Sequence, residues 1–392
     1  MAPLILIANP GSASRKYALF RAKKIVAELH FEYRDERVIC TLTHNGSRVE
    51  LPVELPTLKD ATSHVVQFFK DQHILTDETP IGAIGLRVVA PGAFFLQHRQ
   101  LDEAAISQLE ALEARAPLHI KATLTELRLL RRHFPHTPIF GLSDSAFHHT
   151  KPDYAWNYGI TLADADQFDI KRFGYHGLSV GAAVESLRKA HKLAPKTVVC
   201  HMGSGISVTA VHEGQSHDTT MGYSPLEGPL MATRSGSVDY SAIQALKEAR
   251  GFSTSELETY LNAQSGLLGL GGSSDVRELL QREAHGDHYA ALALKTFVYS
   301  IQKAIGQMSA ALGGMDLLVL TGTIGERSAP IRQRLVAGLG YLDFFVETKA
   351  NHHCTDPQEA TIISRLAHSR PVYVVPTNEA TEMARHLQEL LK

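Results

Sequence analysis

The sequence lacks several of the short signatures that announce a nucleotide or metal enzyme. No stretch reads GxxxxGK[ST], no GxGxxG follows an apolar run, and HExxH is absent. These absences disfavour a Walker-type phosphate loop, a dinucleotide fold and a zincin. Cysteine is scarce: Cys40, Cys200 and Cys354 form neither a CxxC pair nor a zinc spacing. An odd, sparse set suits a reducing compartment. Charge of one sign is also missing, because 39 basic and 41 acidic side chains leave a net charge of -2. No bulk field is available to hold nucleic acid or an anionic membrane. No apolar run approaches bilayer length, and the opening MAPLILIANPGS has no basic n-region. The expectation is a cytoplasmic protein without nucleic-acid or membrane partners.

What is present is 392 residues, 44% of them hydrophobic, enough for two cores. Short apolar runs recur at Leu4 to Ala8, Ile81 to Val89, Pro138 to Leu142, Thr197 to Cys200, Asp316 to Thr321 and Pro371 to Val375. Several are continuous, as expected of strands covered on both faces. Helical periodicity lies between them. Ile106, Leu109 and Leu112 mark one face, of a helix that must stop before Pro117. A longer helix is predicted from Asp287 to Leu312, with Leu294, Phe297, Ile301, Ile305 and Met308 inward and Gly313 and Gly314 ending it. Alternating strands and helices argue α/β. Two stretches read strand, Gly-Ser turn, strand: NPGSAS before KYALF, and MGSGIS between TVVCH and VTAV. A Gly-Ser hairpin alone is common in β structure. Two of them, each opening an α/β half, fit a two-lobed molecule with one ligand turn per lobe.

The chemistry-bearing residues sit in polar islands at strand ends. They are Asn9, Gly11, Ser12, Ser14 and Lys16; Arg87 inside an apolar strand; Asp144 with His148 and His149; His176 between two glycines in FGYHGLS; a long loop-like stretch with Glu227, Arg234 and Asp239; the turn of LVLTGTIGERS; and Glu379, which opens the last helix. Each has a bland reading: Arg87 could snorkel and Glu379 could merely complement a helix dipole. His148, His149, His352 and His353 read as ordinary surface pairs. Taken together, Lys16, Arg87, His176 and Arg234 are cations, and Asp144 and Glu379 are carboxylates that could place Mg²⁺. That combination is what phosphoryl transfer requires.

The order of islands resembles the acetate kinase family. NPGSASRKY is similar to that family's N-x-G-S-S-S-x-K-[FY], GYHGLS to G-[FY]-H-G-x-S, DSAFH to D-T-A-F-H, and APLH and PTNE to A-P-L-H and P-T-[DN]-E. MGYSPLEGPLMATRSGSVD resembles M-G-F-T-P-L-E-G-x-x-M-G-T-R-S-G-D-x-D, and SGLLGLGGSSDVREL resembles its Ser-Gly-Leu-rich segment. The likeness runs from residue 4 to about residue 386.

The resemblance implies a duplicated actin/hexokinase-like (ribonuclease H-like) α/β fold with a central nucleotide cleft. The lobes would be 1–150 plus a C-terminal helix 379–392, and a nucleotide-binding lobe 151–378. It implies reversible phosphoryl transfer from ATP to acetate or propionate, Mg²⁺, and a homodimer. Arg87 and Arg234 would hold the acyl and phosphoryl groups, His176 and His119 would touch phosphoryl oxygens, and Asp144 would orient the acceptor or metal. Asn9 and Glu379 would support Mg²⁺. Ser12, Ser14 and Lys16 would line the phosphate path, and His201, Gly203 and Gly205 would form a second phosphate turn. Asp275, Arg277, Gly322, Thr323, Ile324 and Gly325 would bind the nucleoside. Val89 and Pro225 would bound the acyl pocket. The chain departs from the pattern at Leu86 and Ala90 (histidines), Pro91 (glycine), Ile120 and Lys121 (Asn-Pro), Ser204 (Asn), Thr323 (Gly) and Arg327 (Asn). Those departures keep two alternatives open: a catalytically altered paralogue acting as a nucleotide-binding or regulatory protein, or a kinase using a non-ATP donor such as pyrophosphate, with Thr323 crowding the base and Arg327 covering the pocket mouth.

Overall fold

The structure, a computed structural model, describes residues 3–11, 14–34, 37–76, 80–113, 117–365 and 367–392, with backbone alone at 117–119. The chain divides into two compact units. One is Met1–Ala146 with Asn378–Lys392, and the other is Phe147–Thr377.

In chain order the first unit carries β1 (Leu4–Pro10), β2 (Ser14–Arg21), β3 (Lys24–Arg34), β4 (Arg37–His44), β5 (Ser47–Leu51), α1 (Ala61–Asp71), β6 (Ile81–Val88), β7 (Arg99–Gln100), α2 (Glu103–Leu112), α3 (Pro117–His133) and β8 (Ile139–Ser143). The second carries α4 (Leu162–Gln167), α5 (Gly177–Lys189), β9 (Lys196–Met202), β10 (Ile206–His212), β11 (Gln215–Thr219), α6 (Tyr240–Arg250), α7 (Thr254–Ala263), α8 (Gly266–Gly271), α9 (Val276–Ala284), α10 (His288–Ala311), β12 (Leu317–Thr321), α11 (Gly322–Arg327), α12 (Ala329–Ala337), α13 (Thr348–His353), β13 (Thr361–Ile362) and β14 (Val372–Val374). The last helix, α14 (Glu379–Leu390), returns to the first unit.

The first unit's sheet has the order β5-β4-β3-β2-β1-β6-β8-β7, with β1, β6 and β8 parallel. Continuous apolar runs form these central strands because both faces are covered. Leu6, Ala8, Ile84 and Leu86 join a core with Leu124 and Leu127 of α3. The alternate residues face α14: a Cβ at Gly85 would meet Ile7, Leu142 and Leu387. The second unit's sheet has the order β11-β10-β9-β12-β14-β13, with β9, β12 and β14 parallel. Val180, Val184 and Leu187 of α5 pack on Val199, Leu317 and Val319.

Helix ends follow local chemistry. Asp287 caps α10 by accepting from the N–H groups of Tyr289 and Ala290, and Gly313 at φ 63° takes the left-handed turn beyond it. Ser253 and Glu256 form a capping box on α7. Pro117 does not only end the preceding pattern; it starts α3, where a missing N–H costs nothing.

Candidate active site

At the carboxyl ends of the first unit's parallel strands, three side chains converge. Asn9 ends β1, Arg87 ends β6, and Asp144 follows β8. Open α/β sheets bind ligands at this end. Arg87 Nη2 donates to Asp144 Oδ2 at 2.9 Å and Nη1 to Asn9 Oδ1 at 3.3 Å. Glu379, in the first turn of α14, accepts from Asn9 Nδ2 at 2.7 Å and lies 3.6 Å from Arg87 Nη1. Burial disfavours the charged guanidinium, but Asp144 and Glu379 outweigh it and hold Arg87 above its ordinary pKa. Arg87 therefore stays charged among oxygen donors, and its Nε finds no acceptor among the described residues.

Other expected residues of this unit lie around the cluster. Gly11 N–H bonds the Ser14 carbonyl at 2.8 Å, closing the turn into β2. Lys16 pairs with Asn9 across the β1–β2 register, so its exposed side chain leaves on the Asn9 face. Val89 is half-buried just past β6. Ser12 lies outside the described residues, and so does the side chain of His119 in the first turn of α3.

The second unit gathers a separate set at the ends of its own parallel strands. His176 precedes α5 with φ 60°, an uncommon left-handed conformation for a residue with a Cβ. Its Nδ1 lies 3.0 Å from Ser207 Oγ, and its ring stands 4.3 Å from that of His201. His201 Nδ1 is 2.7 Å from Ser179 Oγ. Residues Gly177–Gly181 have GxSxG spacing, yet Ser179 is buried within the first turn of a helix and bonded to His201, not raised on an elbow. The turn from β9 to β10 is closed by Gly203 N–H on the Gly205 carbonyl at 3.0 Å. A Cβ at Gly205 would lie 3.1 Å from His176 Nε2 and 3.2 Å from Arg234 Nη1. Gly205, His176 and Arg234 thus meet at one point. Arg234 is steadied by the carbonyl of buried Pro225 at 3.3 Å.

The turn after β12 abuts the end of β9 at Met202. Gly322 has φ 79°, and a Cβ there would sit 2.8 Å from the Met202 backbone. Glu326 ties that turn down: its Oε1 accepts from Gly322 N–H at 3.0 Å and Thr377 N–H at 2.9 Å. Thr323 is exposed and Ile324 and Gly325 continue α11. Arg327 pairs with Asp356 at 3.2 Å on the surface. Asp275 and Arg277 are engaged with each other at the start of α9, with Nη2 to Oδ2 at 2.6 Å. That bond, ahead of the opposing effect of burial, holds Asp275 below the usual carboxylate range. Among the described residues no hydrogen bond joins this pair to the Gly322–Gly325 turn.

The sequence reading missed several buried groups. His148 is not a surface residue but fully buried, bonded to Ser216 and Tyr175, whereas its neighbour His149 and the pair His352–His353 are exposed. Arg15, Tyr17, Thr62 and Glu126 form a closed buried network joining β2, α1 and α3. Glu227, which the sequence did single out, is half-buried: it accepts from Tyr158 and pairs with Arg172 at 2.6 Å, in space that a Cβ on Gly222 would occupy. Among the described residues no group of three or more His, Cys, Asp and Glu side chains could hold a metal.

A sequence profile described as the Acetokinase family matches residues 4–385. The chain is 35% identical over 400 residues to an acetate kinase of Methanosarcina thermophila, covering 99% of this chain and 97% of that one. It is similarly 35% identical over 401 residues to an acetate kinase of Thermoanaerobacterium thermosaccharolyticum, covering 99% of each. In three dimensions it resembles a propionate kinase from Francisella tularensis with a TM-score of 0.88, 31% identity and 98% of both chains covered. Porphyromonas gingivalis acetate kinase follows with a TM-score of 0.85, 29% identity and 100% of both chains covered. These neighbours share the two-domain mixed α/β architecture, with one sheet in each unit.

Proposed function

Because the chain belongs to the acetokinase family, we propose that it transfers the terminal phosphoryl group of ATP to a short-chain carboxylate, acetate or propionate, reversibly giving an acyl phosphate and ADP. The observation that carries this reading is the Arg87 guanidinium, kept charged by Asp144 and Glu379 at the carboxyl ends of parallel strands. A carboxylate acceptor is already a nucleophile, so the chain needs no strong general base. Its work is alignment and neutralisation of the equatorial oxygens. In this reading Arg87 and Arg234 hold the acyl and phosphoryl groups, His176 and His119 donate to phosphoryl oxygens, and Asp144 fixes Arg87 and the acceptor. Ser12, Ser14, Lys16, His201, Gly203 and Gly205 serve the phosphates. Gly322 to Gly325, with Asp275 and Arg277, serve the nucleoside, and Val89 and Pro225 limit the acyl chain.

Asn9 and Glu379 fit Mg²⁺ in kind. They offer hard oxygen donors, and so few protein ligands suffice for an ion that takes the rest from phosphates and water. Bound there, Mg²⁺ would neutralise charge on the β- and γ-phosphates. The reading also takes the working form as a cytoplasmic homodimer. Among the described residues no helix is long and apolar enough to cross a membrane.

The test is a hydroxamate assay pairing ATP or pyrophosphate with acids of two to four carbons. Acyl phosphate should form with ATP and acetate or propionate, and Arg234→Ala should lower kcat on the order of 100-fold or more with the fold intact. No acyl phosphate from any acid would refute the assignment, and turnover with pyrophosphate alone would refute the ATP donor.

A further inference from the structure

We propose that His148 is a positioning residue for this reaction: it pins the peptide on which His176 is mounted, and so aims the His176 imidazole. The proposal rests on the reaction assigned above. It starts from two hydrogen bonds. His148 Nε2 lies 3.0 Å from the Tyr175 carbonyl, and Nδ1 lies 2.8 Å from Ser216 Oγ. A carbonyl only accepts, so the ring proton is on Nε2, and Nδ1 accepts from the Ser216 hydroxyl. One neutral tautomer satisfies both. Burial, reinforced by Lys151 and by His149 and opposed by the Tyr175 carbonyl, pulls the imidazole down to about 3, so it remains neutral near neutrality.

Tyr175 is fixed at its other end as well. Its hydroxyl donates to the Tyr223 carbonyl at 2.6 Å, and the preceding Gly174 N–H bonds the Gly222 carbonyl at 3.2 Å. Gly174, at φ 82°, has no Cβ to strike the imidazole; one would lie 2.8 Å from His148 Cδ2. The next residue is His176, at φ 60° with no side-chain cap on its helix. Backbone in that region persists where its surroundings over-determine it. His148 supplies that constraint through the carbonyl one residue upstream. His176 then reaches Ser207 through Nδ1 and turns Nε2 toward Gly205 and Arg234. Without the Nε2 donor the Tyr175 carbonyl loses its bond to the buried ring, the peptide is released to rotate, and the His176 ring moves with it.

The experiment compares His148→Gln, His148→Asn and His148→Leu in the full chain. The Gln amide can stand near Nε2, the Asn amide near Nδ1, and Leu offers neither. In the hydroxamate assay Leu and Asn should lower kcat on the order of 100-fold, as ångström-scale misplacement does. Gln should recover most of that loss, and KM for ATP and for the acid should change little in all three. Thermal midpoints are recorded alongside. Wild-type kcat in all three variants with lowered midpoints would make His148 a packing residue and overturn the proposal. A second readout needs no turnover. In ¹⁵N-histidine spectra the His148 signal, assigned by its loss in His148→Gln, should show the Nε2–H tautomer from pH 8 to pH 5. The His176 signal should move in the Leu variant and hold in the Gln variant. An Nδ1–H tautomer, or a His176 signal unmoved by Leu, overturns the proposal. A wild type that makes no acyl phosphate refutes the assigned reaction while these spectra still decide the placement.

Discussion

Adding one methyl group at Gly205 tests whether the second unit's cations converge where phosphoryl transfer needs them. The backbone there is not in the left-handed region, so alanine is conformationally acceptable. The new Cβ would lie 3.1 Å from His176 Cε1 and Nε2 and 3.2 Å from Arg234 Nη1, the far ends of side chains rather than backbone. Those groups need give by only a few tenths of an ångström. The strain is therefore small, and it is offset by the roughly 0.4–1 kcal/mol that Gly→Ala gains from a stiffer unfolded chain. Stability should stay within about 1 kcal/mol of wild type in urea. Activity should not. On the proposed assignment the methyl fills the space a phosphoryl oxygen would take and displaces both donors, and losing one such donor costs about 2.7–4 kcal/mol of transition-state stabilisation. The hydroxamate assay should show kcat/KM lower by on the order of 100-fold or more. Gly159→Ala is the control, because a Cβ there meets nothing within 4 Å. Wild-type kcat/KM in Gly205→Ala would refute the convergence, and a large loss of urea stability would refute the assignment of the strain to side-chain ends.

Two further outcomes follow from buried ionisable groups. His148 titrates near 3 in the folded chain against an ordinary 6.5, so between those values the unfolded chain holds a proton that the folded one does not. Stability is then complete above about pH 6.5 and is lost as pH falls toward 3. Between pH 7.5 and pH 5, urea unfolding should show wild type losing about 2 kcal/mol more than His148→Gln, and equal losses would contradict the neutral, buried ring. Glu126 is wholly enclosed; burial pushes its carboxyl up while Arg15, Thr62 and Tyr17 pull it back. Glu126→Ala strands the buried Arg15 guanidinium and should cost about 3–5 kcal/mol in urea, against near-neutrality if the pair were solvated.

The parts of the fold legible in the sequence are those written in local patterns. The run Leu4 to Ala8 became β1, the stripe from Leu294 to Met308 became the buried face of α10, and Gly313 and Gly314 ended it. The island order also placed Asn9, Arg87, Asp144 and Glu379 at element ends, which is why four separate motifs yield one cluster. Long-range groups were not legible. Nothing local separates His148 from His149; it is Ser216 of β11 and Gly174 at φ 82° that lie against His148, while His149 stays exposed. Arg15 and Glu126 stand 111 residues apart, and a lone charge in an alternating strand looks solvated until its partner is known. Lys16, the motif lysine beside it, is the exposed one. Period-2 alternation puts the two neighbours on opposite faces.

The same alternation bears on the positions where the chain leaves its family's pattern. Leu86 adjoins Arg87 on β6, so its side chain points to the face packed by α3, away from Asp144 and Glu379. It is fully buried there, and Ala90 and Ile120 belong to the same core. By the resemblance these three replace two histidines and an asparagine. A polar group exchanged alone would leave buried partners unsatisfied, at about 1–3 kcal/mol each. Polar groups exchanged together for apolar ones remove the partners as well, which can be nearly neutral. Three apolar residues in one core are the pattern of a joint exchange. Of the other departures Pro91 is buried, Lys121, Ser204 and Thr323 are exposed, and Arg327 pairs with Asp356 on the surface. None of the eight supplies a side-chain bond to the Arg87 cluster or to the His176–Arg234 point among the described residues. The altered neighbours that favoured a turnover-deficient paralogue thus read as a repacked core beside a retained set of charges, which is why the reaction assigned here rests on those charges.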